Sequence, residues 1–174
     1  MRRTLKTTMA VLPILTYPDP VLREPASPVA QVTDEIKTLV EDMAETMYDA
    51  PGVGLAANQV GVAKRIFVID IAAEDEPSDL KVFINPEITE QTGTQMWNEG
   101  CLSFPDATED IKRAESVVVQ ALDIDGKPFT LEADGLLAVA IQHENDHLNG
   151  VLMIDKVGAI KRKLMGRKVA RAKR

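Results

Sequence analysis

The only two histidines of the chain stand four residues apart with an acid between them, in His143-Glu144-Asn145-Asp146-His147. On a helix, residues i and i+4 are neighbours with Cβ atoms about 5–6 Å apart, so both imidazoles can reach one divalent ion. Glu144 is turned about one helical step from His143, where a carboxylate can serve as general base to water on a metal. The alternative is a solvated helix whose charges happen to fall in this order. A catalytic metal site keeps three protein ligands and one open position, so the third ligand decides the class. Proteases with HExxH usually take it from downstream, yet no glutamate follows Glu144 and no histidine follows His147. Asp146, inside the motif, and Asp155 are the only downstream carboxylates. The one cysteine, Cys101, lies 42 residues before His143. It forms no internal disulfide, which leaves a buried small apolar residue, a reactive thiol or a metal ligand. A Cys/His/His set suits zinc or ferrous iron, with a thiolate that makes the ion a gentler Lewis acid and the site sensitive to oxidation.

Elements must position these groups. Leu136, Val139, Ala140, His143 and His147 share one helical stripe, so the histidines extend an apolar face and point inward. Asp134-Gly135 opens this helix and Asn149-Gly150 stops it. An earlier amphipathic helix is predicted from Ile36, Leu39, Val40, Met43, Ala44 and Met47, with Thr33 as N-cap, Asp34 and Glu35 in the first turn, and an end before Pro51-Gly52. Segments rich in β-branched residues predict strands at Arg65 to Ile71, Lys81 to Ile88, around Met96 to Phe104, and Ser116 to Ile124. The last reaches a tight turn at Asp125-Gly126 and returns through Pro128 to Glu132. Glu74 to Asp79 reads as an exposed polar loop. The pattern is that of mainly antiparallel sheets.

At 174 residues the chain fits one domain. No apolar run approaches the ~20 residues of a membrane span, and Pro13 followed by Tyr17-Pro18-Asp19-Pro20 argues against a signal peptide. A cytoplasmic protein is expected. The net charge of −7 is unevenly spread: residues 161–174 hold eight basic residues and no acid, leaving −15 on residues 1–160. A basic tail on an acidic body suits a polyanion such as RNA or a membrane surface, or is simply a solvated helix.

Three blocks resemble the peptide deformylases: GVGLAANQVG at 52–61, EGCLS at 99–103 and QHENDHLNG at 142–150. Their order and spacing match that family from about Met9 to about Asp155. The resemblance implies an α+β fold, antiparallel β-sheets packed around a central HExxH-bearing helix, with a basic C-terminal helix over 159–174 and residues 1–8 as an N-terminal extension before Met9. It implies that Cys101, His143 and His147 hold one divalent ion, Fe2+ in the cell, with Zn2+, Ni2+ or Co2+ able to substitute. The activity implied is removal of formate from the N-terminal formyl-methionine of newly made proteins. Glu144 would take a proton from the attacking water and return one to the departing amine. Gln59, through its side-chain N–H, and Leu102, through its backbone N–H, would donate to the negative oxygen of the tetrahedral intermediate. Val53, Gly54, Trp97, Glu99, Gly100, Leu136, Val139 and Ala140 match the family's substrate positions, with Gly54 read as admitting a peptide backbone at close range. Asp146 and Arg113 would pair to fix helix against strand. Phe104 to Asp110 departs from the family pattern, which carries an arginine near Thr108. By the same resemblance the partners are nascent peptides and the ribosome near its exit tunnel, met through the basic helix; no DNA or membrane partner is expected, and the chain is taken as a monomer. Two rival classes remain: a metallopeptidase with Asp155 as third ligand, and a non-catalytic metal-stabilised RNA-binding module.

Overall fold

The computed structural model describes residues 9–173; the expected extension over 1–8 and Arg174 lie outside the described residues. Among the described residues the strands are, in chain order, β1 (Gly54–Ala56), β2 (Ile66–Ile69), β3 (Lys81–Thr92), β4 (Gln95–Cys101), β5 (Phe104–Arg113), β6 (Ser116–Leu122) and β7 (Pro128–Asp134). The helices are α1 (Asp34–Asp49), α2 (Gly135–Leu148) and α3 (Ala159–Ala172). Every ladder between these strands is antiparallel, in a five-stranded sheet of order β1-β2-β3-β6-β7 and a two-stranded β4-β5 ribbon. This is an α+β architecture.

The five-stranded sheet has a helix on each face. Alternate residues of β2 point in opposite directions, so Ile66 and Val68 join Val40, Met43 and Met47 of α1, while Phe67 and Ile69 join Ala138 and Ile141 of α2. That is why Ile66-Phe67-Val68-Ile69 is apolar without alternation: all four are buried. Each such side chain withdrawn from water contributes about 1.5–3 kcal/mol before the entropy of ordering it. Thr33 caps α1 by accepting from the Ile36 amide at 3.3 Å, and Asp34 and Glu35 fill its first turn.

A third cluster sits under the ribbon, where Phe104, Ala107 and Ile111 of β5 meet Met165 and Val169 of α3. Those two α3 residues are four apart and form its only buried face, which leaves most of its basic residues in solvent.

Several boundaries differ from expectation. The strand expected from Met96 to Phe104 is two strands, because the chain turns at Leu102-Ser103 and pairs Cys101 with Phe104. Phe104 to Asp110 is therefore strand β5, hidden because a register shift after Gly100 breaks its alternation. Asp106 sits in this irregular stretch with φ 60°. Strand β3 runs on to Thr92 rather than Ile88. Asp134 does stand at the N-cap of α2, but its side chain makes no capping hydrogen bond.

Candidate active site

Helix α2 and the end of β4 bring the three soft donors together. Cys101, His143 and His147 each offer one ligand atom, and these atoms lie within 4.8 Å of one another. Cys101 Sγ is 3.3 Å from His147 Nε2. Both imidazoles are buried, His147 at 1 % exposure, because their stripe faces the sheet. His143 Nδ1 is taken by Glu99 Oε1 at 2.7 Å, so its Nε2 is the nitrogen left for a ligand bond. That tautomer, the neighbouring thiol and the second imidazole fit a single zinc or ferrous ion. Burial opposes charge on His143, yet its contacts with Cys101 and Glu99 raise its pKa well above the usual imidazole value. Burial and repulsion from His143 and Arg113 keep His147 well below it.

Behind His143 runs a buried ionic chain. Arg113 donates Nε and Nη2 to the two oxygens of Glu99, each at 2.8 Å, and Nη1 to Asp146 Oδ2 at 2.5 Å. Burial works to raise the Glu99 carboxyl, but the bonds from Arg113 and His143 win and hold it at about 2. Glu99 is thus an anion that keeps a proton on Nδ1 of His143. The expected Asp146–Arg113 pair is present, and it anchors α2 to the end of β5.

Glu144 is placed differently. Burial pushes its carboxyl up to about 7, which the charges of His143 and Arg113 only partly offset. Its Oε2 is buried without a hydrogen-bond partner. Buried polar atoms are rarely left so, and the acid lines a cavity of about 770 Å³. A Cβ on Gly54 would stand 2.6 Å from Glu144 Oε1. The constraint on Gly54 shown here is therefore room for this carboxylate, where the sequence suggested room for a peptide backbone.

The same cavity collects the other expected residues, apart from His147, which lies beneath it. Val53 and Gly54 contribute from the first edge strand and the turn before it, Trp97, Glu99 and Gly100 from β4, and Leu136, Val139 and Ala140 from α2. Gln59 and Leu102 line it beside Cys101 and His143. Gln59 is 1 % exposed, with Oε1 accepting from Ala56 N at 3.0 Å and Nε2 lying 3.7 Å from Cys101 Sγ. Neither lysine nor arginine lines the cavity, so the missing arginine near Thr108 is not replaced from another described segment.

Asp155 is not a ligand. It pairs with both terminal nitrogens of Arg23 and accepts from Leu152 N at 2.9 Å, outside the Cys/His group. The rival third ligand is thereby removed. Sequence reasoning missed Glu99 as the partner of His143, and it missed Ser103 and Asn58. Asn58 donates Nδ2 to the His147 carbonyl at 2.9 Å. The position of these residues inside the glycine-rich and EGCLS blocks was the only available signal.

A Cys/His/His group with both histidines buried, an unpartnered buried carboxylate and a cavity that opens onto them, on this α+β frame, define a metal-dependent hydrolase. A sequence model of polypeptide deformylase matches residues 11–163. The chain belongs to the peptide deformylase family, whose members remove the formyl group from the N-terminal methionine of new proteins. It is 54 % identical over 161 residues to the peptide deformylase of Alkalilimnicola ehrlichii, spanning 92 % of this chain and 90 % of that one. The Acidobacterium capsulatum peptide deformylase is 48 % identical, over 95 % and 98 % of the two chains. Among solved structures, a Legionella pneumophila peptide deformylase superposes with a TM-score of 0.90 at 46 % identity, covering 94 % of this chain and 96 % of that one. The Ehrlichia chaffeensis enzyme in complex with actinonin gives 0.91 at 39 % identity, over 95 % and 99 %.

Proposed function

We propose that the cavity binds the formyl-methionyl end of a nascent peptide and that Glu144, Gln59 and Leu102 carry out hydrolysis of its formamide beside a metal held by Cys101, His143 and His147. The observation that carries this reading is the unpartnered buried Glu144 Oε2, on a carboxylate that lines the cavity together with Cys101 and His143 of the clustered ligand group. When bound, the ion supplies Lewis acidity and activates water near neutral pH; Fe2+ is the metal we assign in the cell, with Zn2+, Ni2+ or Co2+ as substitutes. Glu144 accepts the proton of the attacking water and later delivers one to the amine as the C–N bond breaks, a double duty that a carboxyl raised to about 7 can perform. Gln59 Nε2 and the Leu102 amide donate to the oxygen that becomes negative, and losing one such donor commonly costs ~10²–10³ in rate. Val53, Trp97, Leu136, Val139 and Ala140 offer apolar surface to the methionine side chain, and Gly54, Glu99 and Gly100 line the same cavity.

Residues 1–174 are read as one domain, a monomer in the cytoplasm, whose HExxH helix is central and whose basic helix α3 (Ala159–Ala172) meets the ribosome. Among the described residues no helix is long and apolar enough to cross a membrane. The direct test is anaerobic purification, metal analysis and an assay for formate release from a formyl-methionyl peptide. Glu144→Ala should keep the metal and lose turnover. A chain that released no formate with iron, nickel, cobalt or zinc would overturn the reading.

A further inference from the structure

We propose that Ser103 is a positioning residue: together with Leu15 and Tyr17 it locks the Gln59 amide so that one Nε2 proton stays turned toward the reaction centre. The inference rests on the assignment of Gln59 and Leu102 as oxyanion donors.

The hydrogen bonds leave the amide no choice of orientation. Gln59 Oε1 accepts from Ala56 N at 3.0 Å, which fixes which end of the amide is nitrogen. Nε2 carries two protons, and one goes to Ser103 Oγ at 3.0 Å. Ser103 Oγ uses its own proton on the Leu15 carbonyl at 2.7 Å, so it can face Nε2 only as an acceptor. The second Nε2 proton is left on the side of Cys101 Sγ, 3.7 Å away. Ser103 is 0 % exposed and Gln59 1 %, so water is excluded from competing for either group.

The backbone repeats the arrangement. Leu15 N donates to the Gln59 carbonyl at 2.7 Å, and Tyr17 N donates to the Ser103 carbonyl at 2.9 Å. One short stretch of chain, Leu15 to Tyr17, thus ties the 3-10 turn Ala57–Val60 to the Leu102-Ser103 turn. Both oxyanion donors hang from these two turns, so the N-terminal segment sets the distance between them. Misplacing a reacting group by about 1 Å can cost ~10² in rate. Without Oγ, the Gln59 amide keeps only the Cys101 Sγ as a side-chain acceptor and is free to tilt toward it.

The test uses the full chain loaded with zinc or nickel. In the unaltered enzyme, NMR should show one of the two Gln59 side-chain NH2 protons slow to exchange with solvent; fast exchange of both would overturn the proposal without any variant. Ser103→Ala should lower kcat about 10- to 100-fold, leave KM and bound metal within about twofold, and abolish the slow-exchanging signal. Ser103→Thr, which restores the hydroxyl, should recover part of both. A Ser103→Ala rate equal to wild type, or a loss that merely tracks loss of metal, would overturn it. Gln59→Ala separates this from the underlying assignment. If that variant keeps full kcat, Gln59 is no oxyanion donor; if it loses rate while Ser103→Ala does not, the assignment stands and the positioning role fails. In the double variant the Ser103 change should add nothing further.

Discussion

Glu99 and His143 are joined side chain to side chain across 2.7 Å, and Arg113 closes on the same carboxylate from the other side. Ligand orientation is thus fixed from behind by a buried anion whose charge Arg113 guarantees. Partners of this kind commonly hold 10- to 100-fold in metal affinity. Glu99→Gln should therefore weaken metal binding by about that factor, read by competition with a chelator. It also strips Arg113 of a buried countercharge, which commonly costs ~3–5 kcal/mol and should appear as a lowered thermal midpoint. Wild-type metal retention in this variant would show that the bond to His143 is incidental.

Gly54 and Glu144 make a second prediction. A methyl group at position 54 would sit 2.6 Å from Oε1 and 3.0 Å from the carboxyl carbon of Glu144, so the acid must move. Gly54→Ala should fold and keep its metal, because the clash is with the end of one side chain. Its kcat should fall about 10- to 100-fold, part of the ~10²–10⁴ that a positioned acid–base group contributes, because the acid is displaced rather than removed. A variant with normal kcat would show that Glu144 tolerates displacement and is not the proton carrier.

What could be read from the residues follows from how far apart in the chain the interacting groups are. His143, Glu144 and His147 lie on one helical turn, so helix periodicity alone places them together. Cys101 stands in a distant segment and offered itself only as the one soft ligand outside the motif, while Gln59 was reached solely through the likeness of three blocks to a known family. The Arg113–Asp146 pair was expected from the family likeness, but the link from Glu99 to Arg113 and His143 stayed hidden for a different reason. It depends on the antiparallel register that sets Gln95 opposite Arg113 and Glu99 opposite Glu109, and that register belongs to a ribbon whose second strand, β5, was not recognised. From Ala107 the burial of β5 does alternate, but its covered positions include Glu109 and Arg113, so no apolar period of two shows in the sequence, and the irregular stretch after Phe104 shifts the phase. Ser103 was invisible because serine in a turn needs no further explanation until the Gln59 amide is found against it.

Asp70 gives a prediction for pH. Burial works to raise its pKa, but donors from Tyr48 and Ser78 and the amides of Ala72 and Asp79 outweigh it and leave the carboxyl below its ordinary value. A lowered folded-state pKa means the charged form is stabilised by folding. That stability is fully present above the unfolded value, about 3.9, and is lost as pH falls through the lower folded value. Asp70→Asn replaces an acceptor with an amide group facing hydroxyl and amide donors. At pH 7 it should destabilise the protein by about 1–3 kcal/mol in denaturant unfolding. The gap between variant and wild type should begin to narrow only below the unfolded value of about 3.9 and close beneath the lower folded value; a gap independent of pH would mean the carboxylate charge is not what holds the loop over residues 72–79.

The basic helix gives the last. Met165 and Val169 fasten α3 to β5, while Lys163, Arg167, Lys168 and Arg171 make none of the ion pairs found among the described side chains. Lys161 is different, since it pairs with Glu109 at 2.8 Å and is best left in place. If the four lysines and arginines face ribosomal RNA, each releases counterions on binding, and affinity falls steeply as salt rises. Changing all four to glutamine should weaken ribosome binding and flatten the slope of log affinity against log salt by about 0.7–0.9 for each phosphate no longer neutralised. The apolar packing of α3 is untouched, so thermal stability should stay within about 1 kcal/mol of wild type. The reaction cavity is lined by none of these four residues, and release of formate from a short peptide should not change. A salt slope equal to that of the unaltered chain would mean that α3 meets solvent rather than a polyanion.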